Sequence, residues 1–210
     1  MDIPYSEQYI DGWQNFSMHD IEPYFRWRDE YTAEADPKSP FYGQDHSEMY
    51  YTHTVYNYYI HPQWDSFGSS TLYIKVLYVD YDKGYALMEL IGEWNDTLYN
   101  DVMYLKTEVI NKMMKHGINR FVLYCDNVLN FHGSDDCYYE EWWDDIKDED
   151  GWVVFVNTFD HVSHEMNRYR LQHYINYGPQ FNDVEWHRKT PKLAYKEVKE
   201  RLKQRVYELQ

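Results

Sequence analysis

Between residues 72 and 125 the spacing of apolar residues switches from strand-like to helical and back, and this switch limits the fold more than any other feature of the chain. Residues 72–80 and 85–92 are apolar runs separated by Asp82, Lys83 and Gly84, a hairpin signal because Gly84 tolerates positive φ. Leu98, Val102, Leu105, Val109 and Met113 then share one helical face, with Asn95 or Asp96 placed to cap its start and Gly117 at the C′ position. Residues 121–125 follow at once as a buried strand. A strand, a helix of about 20 residues and a second strand make a βαβ crossover, which requires parallel pairing and a right-handed connection. The hairpin adds an antiparallel partner, so the expected class is α/β with a mixed sheet.

Two further units extend the pattern. Tyr139, Trp142, Trp143 and Ile146 stand at helical spacing before a short apolar strand at 152–156, and a helix over 160–170 precedes a strand at 173–177. The last element is a helix over 191–207, opened by Thr190 as N-cap and Pro191 at N1, with Ala194, Val198, Leu202 and Val206 on one face. Residues 187–210 hold eight Lys or Arg against three Glu, whereas residues 1–186 hold 12 against 33 Asp or Glu. Opposite fields attract, so this helix is expected to dock on its own acidic body.

The chain has no leucine before Leu72, and residues 1–70 carry 17 aromatics and five of its seven prolines. Such a composition reads as an irregular aromatic-rich arm packed on a core domain over 71–210, the two forming one folding unit. Within the arm, Asp20 as N-cap and Pro23 in the first turn suggest a short helix to Tyr31, and residues 48–60 suit a strand with one wetter face. Rings such as Trp13, Trp27 and Trp64 call for burial. Their number favours a homodimer or larger homo-oligomer in which the arm from Tyr5 to Phe67 contributes to the interface.

A formal charge of -16 repels nucleic acid and anionic membrane surfaces, leaving basic or neutral protein partners. The first residues have no basic segment leading an apolar one, and no window approaches the roughly 18 apolar residues of a membrane span, so a cytoplasmic location is expected. Cys125 and Cys137 are too few for a disulfide framework.

From residue 71 on, the order hairpin, helix, strand, helix, strand, helix, strand, helix resembles the STAS domains of the anti-sigma-factor antagonist family. The most local likeness runs from residues 121–125 through Val128, Leu129, Asn130, Phe131, His132, Gly133 and Ser134, which resemble the family's buried strand, its apolar loop and the serine opening the next helix. The resemblance implies a non-enzymatic regulatory fold in which Ser134 is the position phosphorylated to switch partner binding. Relatives of the whole chain are expected among bacterial proteins.

Asn130, His132, Ser134, Asp135 and Asp136 concentrate more polar chemistry than any other segment and follow a parallel strand, where open α/β sheets bind ligands. The simpler reading of Ser134 is an N-cap, with Asp135 and Asp136 complementing the helix dipole. A phosphate there would meet two carboxylates. His132 with Asp135 and Asp136, or His161 with His164, supply metal-ligand types at spacings that match no established signature, so no metal is assigned. The acids between 135 and 150 are expected on the solvated face of a helix. No glycine-rich phosphate loop is present, and no cofactor is expected. The reading is a non-enzymatic interaction or regulatory module; the alternative is a hydrolase using carboxylates and histidines around His132 and Asp135.

Overall fold

The computed structural model describes residues 21–47, 49–56 and 58–208, with side chains to 204. Trp13 and the Asp20 cap lie outside them. Strands β1 (Thr54–Val55) and β2 (Tyr58–Tyr59) form a short antiparallel hairpin, turned at Tyr56 with φ 52°. Then come β3 (Leu72–Asp80) and β4 (Tyr85–Asn95), and helix α1, whose segments Asp101–Tyr104 and Asn111–Met114 flank a π-helical stretch, Leu105–Ile110. Strand β5 (Arg120–His132), helix α2 (Cys137–Ile146), strand β6 (Trp152–Val156), helix α3 (Asp160–Arg168) and helix α4 (Pro191–Glu208) complete the order.

The four long strands make one sheet in the order β3-β4-β5-β6, with only β3 antiparallel. This is the mixed α/β sheet the apolar spacing implies. Gly84 takes φ +66° in the β3–β4 turn, and a Cβ there would lie 2.8 Å from the Gly117 carbonyl oxygen, so the hairpin turn and the end of α1 meet at a position only glycine fits. One sheet face, with Ile74, Met88, Leu90, Leu123 and Phe155, packs under Val102, Leu105, Val109, Tyr139, Trp142, Val162 and Met166 of helices α1, α2 and α3. The other face, with Leu77, Leu87, Val122, Tyr124 and Val154, lies under Ala194, Tyr195 and Val198 of α4 together with Trp186 and Trp27. Arg201 of α4 donates to the carbonyls of Gln180 and Asn182, anchoring the basic helix on the body.

Several expectations are corrected. Residues 21–31 form turns rather than a helix, with Arg28 N–H donating to the Phe25 carbonyl and Tyr31 N–H to that of Trp27. Tertiary packing overrides local propensity: Trp27 is drawn under the sheet, its Nε1 donating to the Lys189 carbonyl at 2.8 Å. The strand expected over 48–60 shrinks to β1 and β2. Leu98 precedes the helix in an exposed turn, because Asn95 Oδ1 accepts from Leu98 N–H and Asp96 Oδ1 from Val102 N–H, which moves the first helical turn to Asp101. The segment at 173–177 is not a strand: Leu171–His173 is a 3-10 turn, and only Asn176 bridges in parallel to Val154.

Candidate functional site

Asn130 and His132 lie on β5, not in a loop, because pairing with β4 continues to Asn95 opposite His132. Asn130 Nδ2 donates to Glu93 Oε1 at 2.8 Å, and His132 Nε2, exposed, stands 3.9 Å from the same oxygen. Ser134 is exposed and does not cap α2. The helix begins at Cys137 with Asp136 at the N-cap position, and Asp135 Oδ1 accepts from Cys137 N–H at 3.1 Å. The N-cap position therefore falls two residues after the serine, and no side chain bonds from it. Asp135 also holds the Cys137 thiol above its usual pKa, and burial does the same for Cys125, so neither sulfur is an activated nucleophile. His161 meets the Leu129 carbonyl through Nε2 at 2.7 Å. The acidic face of α2 is solvated as expected, with Trp142 and Ile146 turned inward.

The structure instead opens two hollows a few residues earlier, at a bulge in β5. Glu89 pairs with Tyr124 and Ile91 with Asn127, so two residues of β4 span three of β5. Asp126 and Asn127 thereby open into different hollows. Asp126 borders a cleft of about 710 Å³ beyond the end of β6. Its carboxylate is fixed by Asn157 Nδ2 at 2.8 Å and Trp186 Nε1 at 3.0 Å, and the cleft is also lined by Asp160, Asp183, Glu185 and His187. Burial pushes the His187 imidazole down, toward its neutral form.

Asn127 borders an apolar pocket of about 220 Å³ formed by Ile21, Val55, Ile60, Ile91 and Leu129, with Tyr56 and Tyr58 in its lining. Among the described residues no Asp, Glu, His, Lys, Arg or Cys lines it. Behind it, Glu89 is 2% exposed and accepts from Tyr24 N–H at 2.9 Å and Asn127 Nδ2 at 3.3 Å. Burial, with Asp126 adding repulsion, pushes its carboxyl up to about 8.

A second polar cluster lies on β3. Glu34, His46 and Asp65 bring ligand atoms within 4.8 Å of one another, the one group of three metal-ligand types so placed among the described residues. The Lys75 ammonium already contacts Glu34 and lies 3.2 Å from Asp65 Oδ2, while His46 Nε2 is 2.6 Å from Asp65 Oδ1. The arrangement is an internal ion cluster whose cation is a lysine, and a divalent ion would have to displace it. Sequence reasoning missed both places. The only local signal for the bulge was the pair Asp126-Asn127 inside an apolar strand, and Glu34 and Lys75 are 41 positions apart.

No family model matches the chain, and no curated protein matches it. Among solved structures, a crystal structure described as a candidate anti-sigma factor antagonist from Thermotoga maritima is 16% identical, covering 60% of this chain and 92% of that one at a TM-score of 0.37. An NMR structure of the same Thermotoga protein is 15% identical, covering 75% and 98% at a TM-score of 0.35. The chain thus bears a distant resemblance to an anti-sigma-factor antagonist structure. Among the described residues no helix is long and apolar enough to cross a membrane.

Proposed function

We propose that this protein is a non-enzymatic protein-binding module whose docking surface is the C-terminal half of β5 with the β1–β2 hairpin. The observation that carries the reading is the apolar pocket at the β5 bulge. It offers shape and apolar area beside the parallel β4–β5 pair, where ligands bind such folds, and among the described residues its lining holds no Asp, Glu, His, Lys, Arg or Cys to act on a substrate. Tyr56 is 61% exposed and Leu129 43%, so two large apolar side chains border the pocket and face solvent. The hydrolase alternative loses its geometric support: the nearest carboxylate to His132 is that of Glu93 at 3.9 Å, and Asp135 is engaged by a helix N–H. The protein self-associates as a homodimer through other exposed rings of the arm. Ser134, exposed at the edge of this surface, is the position where phosphorylation would regulate it.

Site-specific photo-crosslinking tests the reading. A photoreactive phenylalanine in place of Tyr56, activated in the native cell, is expected to yield a discrete protein adduct, while the same residue at Glu200 on the far side of α4 yields none. Absence of an adduct from both Tyr56 and Leu129 positions sinks the reading. So does turnover of a hydrolase substrate that is lost in His132→Ala.

A further inference from the structure

The apolar pocket and the acidic cleft are neighbours. Asp126 lines one and Asn127 the other, as consecutive residues of the bulge. A second bridge joins them on the α3 side: the Leu129 carbonyl meets His161 Nε2, and the His161 ring stacks on Phe159 of the cleft with centroids 5.7 Å apart. One occupant can therefore reach both. Building on the docking surface proposed above, we infer that this occupant is a cationic segment of a partner protein, carrying an apolar anchor residue beside Lys or Arg. The anchor enters the pocket under the β1–β2 hairpin and the cations lie in the cleft beyond the bulge.

Charge complementarity selects this occupant. Among the described residues no Lys or Arg lines the cleft, and four carboxylates do. The Asp126 oxygens accept hydrogen bonds from neutral donors, which fix the carboxylate without cancelling its charge. Of the other three, Glu185 has near it an Arg188 guanidinium at 3.4 Å that is 78% exposed and screened by water. Asp160 stands in the first turn of α3, so its carboxylate adds to the acidic rim of the cleft. No three of these carboxylates converge to within 4.8 Å, so the cleft suits organic cations rather than a chelated metal. The pocket adds what a polyamine lacks, a place for one large aliphatic or aromatic side chain. A second copy of the chain is disfavoured as the occupant by its charge of -16. The same field would speed encounter with a basic partner.

Fluorescence anisotropy with defined peptides tests the inference on the intact chain. The probes are an amphipathic peptide of Leu and Lys, its counterpart with Glu for Lys, and one with Ser for Leu. The Leu/Lys peptide is expected to bind and to weaken with added salt, and the other two to fail. Leu129→Ser, and the pair Asp160→Asn with Asp183→Asn, should each weaken binding about tenfold. Neutralising exposed Glu108 and Asp148, neither of which lines the pocket or the cleft, should change it less than twofold. Equal loss from that pair would mean that net charge alone attracts the peptide, and the inference falls. Undiminished binding by Leu129→Ser, or equal binding of the Glu-for-Lys or the Ser-for-Leu peptide, also overturns it. Each variant is checked for an unchanged melting temperature. If the Tyr56 adduct forms while these peptides fail, the docking surface stands and only its cationic preference is lost; if both fail, both readings go.

Discussion

Glu89 sits on β4 opposite Lys75 in register, yet the lysine turns to Glu34 and Asp65 and leaves the carboxyl with neutral donors. An acid whose folded pKa is raised binds its proton more tightly in the native state. Its favourable contribution is thus complete below the unfolded value of 4.5 and is lost as pH rises toward about 8. Asp96, pushed up to about 6 by burial, acts in the same direction over a narrower window. Lowered groups such as Glu34 act oppositely, losing their contribution as the solution turns acid. The comparison that isolates Glu89 is a Glu89→Gln series in urea. The variant is expected within about 1 kcal/mol of the parent at pH 5 and more stable than it by a few kcal/mol at pH 9. Parallel stability curves for the two proteins from pH 5 to 9 would show that the carboxyl titrates normally. None of this was readable from Glu89 in the sequence, since a lone acid in an apolar run resembles any residue of a half-exposed strand. Its burial comes from the Tyr24 segment, 65 positions away. Ser134 failed for a local reason: two acidic residues follow it, and the helix begins beyond them, at Cys137.

At the scale of the element, α1 contains the least expected feature. Its π-helical turn buries both Leu105 and Lys106, then both Val109 and Ile110, a pairing that ideal 3.6-residue periodicity would not bring to one side. The fully buried Lys106 ammonium reaches α2, donating to Glu141 at 3.1 Å and Asp145 at 2.7 Å, and also donates to Asn111 of its own helix at 2.6 Å. Those carboxylates are 53% and 41% exposed, so they can return to water, whereas the ammonium cannot. The two sides of the clasp should therefore respond unequally. Lys106→Met is expected to cost less than about 1 kcal/mol, and Glu141→Gln with Asp145→Asn about 3 kcal/mol, because the latter leaves a buried charge unpaired. Equal losses in chemical denaturation would contradict this account. The elements that sequence reasoning placed well, β3, β4, β6, α2 and α4, owe their form to local periodicity and turn chemistry. Those it misplaced, the turn at Trp27, the short β1–β2 hairpin and the bridge at Asn176, are set by distant partners that no window of sequence contains. The bulge that makes the candidate site belongs to the second group, since a strand's register depends on its neighbour.

For the whole molecule, a charge of -16 and a surplus of rings pull in opposite directions. Trp27, Phe41, Trp64 and Phe67 of the arm are buried within their own chain. Phe25 at 54%, Tyr42 at 58% and Tyr50 at 71% remain exposed, and these are the rings on which the proposed homodimer depends. Long-range repulsion between two acidic copies is strong at low ionic strength, but at physiological salt the screening length is about 8 Å, short compared with the molecule. Self-association should therefore tighten as salt is raised, opposite to the salt response of the cationic peptide at the β5 bulge. Deleting residues 1–47 would not test it fairly, because Trp27, Ala33 and Phe41 would leave the core with them. Tyr42→Ser with Tyr50→Ser is the better variant: both rings are exposed, so the melting temperature should stay within about 2 °C while the dimer is lost. Light scattering across a dilution series at low and physiological salt supplies the measurement. A mass of 25.9 kDa at every salt and concentration would refute the dimer and leave the exposed rings of the arm as single solvated side chains.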